Sequence, residues 1–128
     1  MIHGIGADIV SIERIRRAIG RHEGRFARKV LSSDEWAIYG GHPNAAAYVA
    51  KRFAAKEAFF KAFGQPSSFA NTWRQLSIGN DAAGRPCLEF GPALASLVAG
   101  LGIKRWHVSL SDEREYAIAY LILENDRT

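Results

Sequence analysis

Apolar residues recur with a period of two in some segments of the chain and with the helical period of 3.6 in others. The period of two predicts five strands, at Ile2–Val10, Trp73–Gly79, Arg85–Phe90, Trp106–Asp112 and Tyr116–Leu123. The second and third of these flank a turn-forming stretch at residues 80–84, so we expect them to form a hairpin. The last strand is apolar on both faces, which is typical of a central strand.

The helical period predicts five helices, and several carry signals for where they begin or end. They are predicted to follow the N-cap Ser11, to run from about Glu23 to Val30, from the capping box Ser32–Glu35 to Gly40, from near Asn44 to Gly64, and from Pro92 to about Gly100 or Gly102. The order of elements predicts one α+β domain over residues 1–128, with an antiparallel sheet packed against the long central helix.

The longest predicted helix places two charged residues among apolar ones. Glu57 and Lys61 fall inside an arc of the helix that also holds Ala50, Phe53, Ala54 and Phe60. One interpretation is an ordinary surface ion pair between residues four apart. The other is the wall of a site, because charges partly removed from water require partners such as a metal ion and a phosphate.

The first predicted strand has a polar side with unusually little bulk. Gly4, Gly6 and Asp8 alternate with Ile5, Ala7 and Ile9. Glycines inside a strand indicate a close approach by a ligand or another backbone, so we expect open space beside the Asp8 carboxylate, with room for a metal ion. The alternative is that the glycines only bend the strand.

Composition limits the possible classes of protein. The 128 residues are 48% hydrophobic and 23% charged, which predicts a globular domain with a real core. No apolar run approaches the roughly 20 residues needed to span a bilayer, and no signal peptide is recognisable, so we expect a cytoplasmic protein that does not act at a membrane. The single cysteine, Cys87, is expected to be a core residue, and no spacing resembles a zinc site.

Positive charge is concentrated in the first quarter of the chain. Residues 1–30 hold seven Arg and Lys against three Asp and Glu, an excess of four that equals the net charge of the whole chain. This basic segment predicts an anionic partner, which could be a nucleic acid, a phosphorylated small molecule or an acidic protein. The alternative is a solvated helix face.

Three segments resemble the signature blocks of holo-acyl-carrier-protein synthases, the small phosphopantetheinyl transferases. They are Gly4–Ile12, Arg52–Gly64 and Trp106–Ser111 together with Ala117–Ala119, in the order and spacing of that family. The resemblance implies transfer of 4′-phosphopantetheine from coenzyme A to a serine of apo acyl carrier protein, with release of adenosine 3′,5′-bisphosphate, in support of fatty acid biosynthesis.

The resemblance also implies roles for individual residues. Asp8 and Glu57 correspond to magnesium ligands, and Lys61 to the base that contacts the diphosphate. The serine proton would pass to Glu57 or to a water on the metal. Positions near the coenzyme are Arg52, Gly64, His107 and Ser109, in addition to Lys61. The alternative for the face that bears His107, Ser109 and Ser111 is an exposed sheet surface.

The resemblance further implies an assembly and a protein partner. Members form homotrimers with each active site at a subunit interface, and a basic helix after the first strand docks the acidic carrier protein. Here that role would fall to Arg14, Arg21 and Arg25, of which Arg14 and Arg21 are expected on one helix face.

Two positions depart from the family pattern. Gly64 is followed by Gln65-Pro66-Ser67 where many members have Thr-Gly-Ile, and Asp112 stands where many have histidine. An acid near phosphates would repel them unless it points away or pairs with a base.

Two other classes of function would account for part of the sequence. A nucleic-acid-binding module would explain the arginines, but the chain has no recognised motif and no aromatic residues interleaved with its basic ones. A non-catalytic scaffold for carrier proteins would retain the basic helix without requiring Asp8 and Glu57 together.

Overall fold

The structure is a computed structural model that describes residues 1–21, 24–65 and 72–127. Within them the order of elements is β1 (Ile2–Ser11), α1 (Ile12–Gly20), α2 (Arg25–Val30), α3 (Ser33–Tyr39), α4 (Ala45–Phe63), a 3₁₀ turn (Thr72–Gln75), β2 (Leu76–Asn80), β3 (Pro86–Phe90), α5 (Pro92–Gly100), β4 (Ile103–Asp112) and β5 (Tyr116–Asn125). The predicted α+β class is confirmed.

The main sheet is antiparallel, in the order β1-β5-β4, and β2 and β3 form a separate hairpin. The prediction that the last strand is central is confirmed, because β5 pairs with β1 on one side and β4 on the other. The inner face of the sheet packs into the core through the buried side chains of Ala117, Ala119, Leu121 and Leu123.

The other face of the sheet is apolar and exposed, and we call it the outer face. It consists of Ile5 and Ile9 of β1 with Tyr120 and Ile122 of β5. The register places Ile122 opposite Ile5, and Tyr120 opposite Ala7. The outer face is therefore a continuous surface that spans two neighbouring strands.

Helix α4 is the centre of the core. Its N-cap is Asn44, whose side chain accepts a hydrogen bond from the amide of Ala47, and it ends at Gly64 in the left-handed conformation with φ of 88°. The predicted beginning and end of this helix are confirmed. Almost every turn buries side chains on several sides, because the sheet covers one side and the smaller helices cover another.

The glycines of β1 lie directly against the backbone of α4. A Cβ atom at Gly6 would overlap the carbonyl of Ala58, and one at Gly4 would overlap the carbonyl of Ala62. Of the two kinds of close approach predicted for these glycines, the structure shows the approach of another backbone. The helix thus fills the space beside Gly4 and Gly6, and the open space expected beside the Asp8 carboxylate is a cleft further along the strand.

A buried ion pair fastens the smaller helices to α4. The Lys56 ammonium, fully buried, donates to Glu35 Oε1 at 2.6 Å and to the carbonyls of Val30 and Trp73. Glu35 also completes the predicted capping box with Ser32 and accepts from the amide of Ile78. Burial lowers the pKa of Lys56, and the neighbouring carboxylate opposes this shift.

Three local predictions differ from the structure. Residues 73–75 form part of the 3₁₀ turn, so the strand predicted from Trp73 begins at Leu76. Cys87 is half-buried rather than a core residue. Arg21 lies just beyond the end of α1 in an extended conformation, so it does not share a helix face with Arg14.

None of the helices within the described part of the chain has the length and apolarity needed to cross a membrane.

Candidate active site

The packing of β1 on α4 brings Asp8 to Glu57. Gly4 lies at Ala62 and Gly6 at Ala58, so two residues of the strand correspond to four residues of the helix running the opposite way. These distances match, because two strand residues span about 6.6 Å and four helical residues about 6 Å. Continued by two more residues along the strand, the same spacing places Asp8 beside the helical turn that carries Glu57.

The two carboxylates line one cleft of about 360 Å³. Its wall is completed by apolar side chains from α1, α2 and α4, including Ile15, Phe26 and Phe53. Arg14 of α1 lies at the same cleft. The side chain of Asp8 is 17% exposed. The cleft thus combines two acids and one guanidinium against apolar walls, which is the general character of a small-molecule site.

Lys61 extends from α4 to the end of the glycine-containing part of β1. Its ammonium donates to Asp8 Oδ1 at 3.0 Å and to the carbonyl oxygen of Ala7 at 2.9 Å. The side chain is 54% exposed. Asp8, Glu57 and Lys61, the three residues that the sequence singled out, are therefore brought together.

The residues assigned to partner binding lie at and beside this cleft. Arg14 lines it, and its backbone amide is part of the cap of α1. Arg25 is exposed as the first residue of α2 and precedes Phe26, which lines the cleft. Arg21 is exposed just after α1.

Arg52 lies in a second cleft, of about 430 Å³, on another part of α4. The guanidinium is 4.1 Å from the centre of the Tyr48 ring and donates to the carbonyl of Ile78, while its Nε atom is buried without a partner. Burial raises the pKa of Tyr48, and the charge of Arg52 opposes this shift. His42 and Lys51 line the same cleft.

The unusual acid at position 112 has a base beside it. Asp112 Oδ1 is 3.6 Å from the Lys51 ammonium, and both residues line the second cleft. The charge of Asp112 is thereby partly offset, which meets the condition that the sequence set for an acid at this position.

His107 and Ser109 lie on the outer side of β4, away from the cleft with Asp8. The register places His107 opposite Ile122, and Ser109 opposite Tyr120. Nε2 of His107 is 2.7 Å from Glu124 Oε2, and this hydrogen bond is the main cause that lowers the pKa of Glu124. One chain therefore does not bring these two residues to the carboxylates. Gly64 caps α4, and Pro66 and Ser67 of the departing loop lie outside the described residues.

Comparison with known proteins identifies the family. The sequence matches the family model of the 4′-phosphopantetheinyl transferase superfamily over residues 4–121. It is 44% identical over 124 residues to the holo-[acyl-carrier-protein] synthase of Blochmanniella pennsylvanica, and the alignment covers 97% of this chain and 99% of that protein. The chain belongs to the holo-acyl-carrier-protein synthase family. The resemblance seen in the three sequence blocks is confirmed.

Solved structures of this family have the same fold. The holo-[acyl-carrier-protein] synthase of Neisseria meningitidis matches with a TM-score of 0.93 and 41% identity, covering 98% of this chain and all of that one. The synthase of Bacillus anthracis, solved in complex with CoA (3′,5′-ADP), matches with a TM-score of 0.79 and 29% identity over 98% of this chain and 99% of that one. The protein is accordingly an enzyme of the phosphopantetheinyl transferase type.

Sequence reasoning missed several residues that line the two clefts. Phe26 was not singled out, although its ring packs 5.5 Å from that of Phe53 and both form part of the wall beside Glu57. The role of Lys51 was also missed, since its partner Asp112 lies on a strand distant in sequence. The departure from the resemblance noted at Asp112 was the one signal that pointed to that pair.

Proposed function

We propose that the protein transfers 4′-phosphopantetheine from coenzyme A to a serine of apo acyl carrier protein, and that the reaction depends on Mg²⁺. Adenosine 3′,5′-bisphosphate would be released, and the holo carrier protein would serve fatty acid biosynthesis in the cytoplasm. The observation that supports this proposal best is the convergence of Asp8, Glu57 and Lys61 where β1 packs on α4, with Arg14 at the same cleft.

The donor atoms in the cleft fit Mg²⁺. The ion prefers oxygen ligands, is commonly held by one or two carboxylates, and completes its coordination with water and substrate phosphate. Among the described residues, no group of three or more His, Cys, Asp or Glu side chains forms an all-protein site for a metal. Asp8 and Glu57 would therefore hold the ion together with the substrate. Once bound, Mg²⁺ supplies charge neutralisation and orientation of the diphosphate.

The remaining chemistry can be assigned to side chains. The serine oxygen attacks the β-phosphorus, the bond to the 5′-phosphate oxygen of the nucleotide breaks, and that phosphate leaves with the bonding electrons. Glu57 would accept the serine proton, with a water on the metal as the alternative acceptor. The ammonium of Lys61 offsets the charge on the leaving phosphate, and the apolar walls of Phe26 and Phe53 limit the access of water.

The complete site would include a neighbouring subunit. His107 and Ser109 lie beside the outer face, and Arg52 lies in a different cleft from Asp8. These residues would contact the same coenzyme molecule as Asp8 only if the Asp8 cleft of one chain faced the Arg52 cleft and strand β4 of another chain. A homotrimer closed through the outer face would bring neighbouring chains together in this way. Arg52, Gly64, His107 and Ser109 would then hold the nucleotide part of coenzyme A.

The direct test is the mass of an apo acyl carrier protein after incubation with enzyme, coenzyme A and Mg²⁺. We expect a gain of one phosphopantetheine group, lost when the metal is chelated. Asp8→Asn and Glu57→Gln should each remove most of this activity while circular dichroism remains unchanged. Glu13→Gln is the matched control, because Glu13 is an exposed carboxylate on α1 paired with Arg16, and it should retain activity. Binding of the carrier protein without any mass gain would instead support the scaffold.

A further inference from the structure

Lys61 already has an anionic partner, and that partner is Asp8. The Lys61 ammonium donates to Asp8 Oδ1 at 3.0 Å and to the Ala7 carbonyl at 2.9 Å, so both contacts are with adjacent residues of β1. Asp8 is largely covered, with 17% of its side chain exposed, whereas Lys61 is 54% exposed. The lysine can therefore leave this position at little cost, but the carboxylate cannot follow it.

A carboxylate that faces an ammonium is a weaker ligand for a second cation. One of the two Asp8 oxygens accepts from Lys61, and a divalent cation on the same carboxylate would lie within a few ångströms of the ammonium charge. The two cations repel each other, and the partial burial of Asp8 reduces the screening of this repulsion by solvent.

We propose that Lys61 competes with the divalent metal for Asp8, and that an anionic diphosphate relieves the competition by drawing Lys61 away. This inference rests on the proposed role of Asp8 as a metal ligand. A phosphate oxygen is an equivalent partner for the ammonium, so transfer of Lys61 from Asp8 to the diphosphate leaves both carboxylate oxygens available. Metal and coenzyme then strengthen each other's binding, because linkage is reciprocal.

The competition assigns a second role to a residue otherwise needed only for the diphosphate. With Lys61 on Asp8, the enzyme holds metal weakly until the coenzyme arrives. With Lys61 on the diphosphate, the metal and the reacting group are held together. Lys61 thus acts on the metal as a positioning residue through Asp8, and this action can be measured without turnover.

The test is a titration of the enzyme with Mn²⁺ alone, followed by electron paramagnetic resonance of the free ion. Lys61→Met keeps an unbranched side chain of nearly the same length and removes its charge. We expect it to bind Mn²⁺ roughly three- to tenfold more tightly than the wild type, as removal of an exposed ion pair and of a nearby like charge would produce. Lys61→Arg, which keeps the charge, should bind Mn²⁺ no more tightly than the wild type.

Lys51→Met is the matched control for net charge. Lys51 lies on the same helix and pairs with a carboxylate, Asp112, at 3.6 Å. Its replacement removes the same charge far from Asp8 along the helix, so the affinity for Mn²⁺ should stay at the wild-type value. Equal tightening in Lys51→Met and Lys61→Met would reduce the effect to overall charge and overturn the inference.

Two further variants separate this inference from the proposed function. If Asp8→Asn and Glu57→Gln lose Mn²⁺ binding while Lys61→Met binds as the wild type does or more weakly, the metal site stands and the competition is wrong. If Asp8→Asn binds Mn²⁺ as tightly as the wild type, the metal assignment fails, and the competition fails with it. Circular dichroism of each variant confirms that the fold is intact.

Discussion

Two residues without side chains determine where the charged ones meet. Gly4 and Gly6 let β1 lie against the backbone of α4, and only this separation allows Lys61 to span the distance from helix to strand. A larger residue at either position would push the strand away from the helix. The proposed site therefore depends on the glycines as well as on the charged residues, because the glycines set the distance between strand and helix.

Replacement of Gly6 by alanine tests this dependence. The new Cβ would overlap the carbonyl of Ala58, so we expect a loss of about 1–3 kcal/mol in the free energy of unfolding, as in overpacked cores. Activity should fall further than stability explains, because Asp8 moves relative to Glu57.

Gly20→Ala provides the control for this substitution. Gly20 is the last residue of α1, and a Cβ there meets nothing within 4 Å. Alanine should leave stability unchanged or slightly increased. Urea denaturation of both variants gives the comparison, and a Gly6→Ala enzyme as stable and as active as the wild type would contradict the argument.

At the scale of single residues, the sequence indicated three residues that the structure brings together, but not the contacts between them. Asp8, Glu57 and Lys61 stood out because each is a charge in an otherwise apolar or glycine-rich setting. The pairing of Lys61 with Asp8 could not be predicted, since it depends on how strand and helix pack across 53 residues of chain. The displacement of Arg21 from the helix face was missed because the end of α1 at Gly20 decides it.

Among the elements, α4 acts as the frame to which the others are attached. Lys56 immediately precedes Glu57, and its ammonium bonds to Glu35, to Val30 at the end of α2 and to Trp73 in the 3₁₀ turn. These bonds use all three donors of the ammonium. The side chain therefore ties three separate segments to the helix that carries the proposed metal ligand.

The Lys56 to Glu35 pair should show the asymmetry of a buried ion pair. Lys56→Met leaves Glu35 buried without its counter-charge, and we expect it to cost about 3–5 kcal/mol in the free energy of unfolding. The double variant Lys56→Met with Glu35→Gln should recover part of that loss, since no lone charge remains. Lys51→Met, at a partly exposed pair, should cost less than about 1 kcal/mol. Equal losses in the single and double variants would contradict this account.

Element boundaries followed from the sequence wherever capping residues mark them. Asn44, Gly64 and the Ser32 to Glu35 capping box all function as predicted. The start of the strand predicted at Trp73 was wrong. The residues there fit the pattern of a strand, but the Trp73 carbonyl accepts a hydrogen bond from Lys56 and lies in a 3₁₀ turn. A long-range bond overrides the local preference there.

Considered as a whole, the molecule exposes more apolar sheet than a single chain needs. Ile5, Ile9, Tyr120 and Ile122 form the outer face, and Ile5 is 64% exposed. Apolar patches of this continuity indicate a protein contact. The strand apolar on both faces was correctly predicted to be central, but which of its faces meets the core depends on the packing of α4.

The outer face is predicted to carry the contacts of the proposed homotrimer. Ile122→Lys places a charge on it and should reduce the molar mass in light scattering to that of one chain. Activity should fall with it. Leu97→Lys is the control, since Leu97 of α5 is equally exposed, at 37%, but lies outside this face. A wild-type enzyme that is active as a single chain would rule out the trimer.

The exposed arginines Arg14, Arg21 and Arg25 are predicted to control the rate at which the enzyme associates with the carrier protein. Arg14→Ala should raise KM for the carrier and flatten its dependence on salt, while binding of coenzyme A changes little, because exposed charges mainly affect the association rate. Arg21→Ala and Arg25→Ala should act in the same direction, less strongly. Arg16→Ala is the control on the same helix, where the arginine is paired with Glu13. An unchanged salt response in the triple variant would place the docking surface elsewhere.

The pairing of β1 with β5 joins the first and last parts of the chain, and this has a consequence for biosynthesis. Met1 and Asn125, 124 residues apart, close the end of the sheet with hydrogen bonds between their backbones. During translation β1 has no neighbouring strand until β5 has left the ribosome. The strand that presents Asp8 therefore remains unpaired while the segment between the two strands is made. Because its contacts join residues far apart in sequence, the sheet also forms more slowly than the helices, which can form as they emerge.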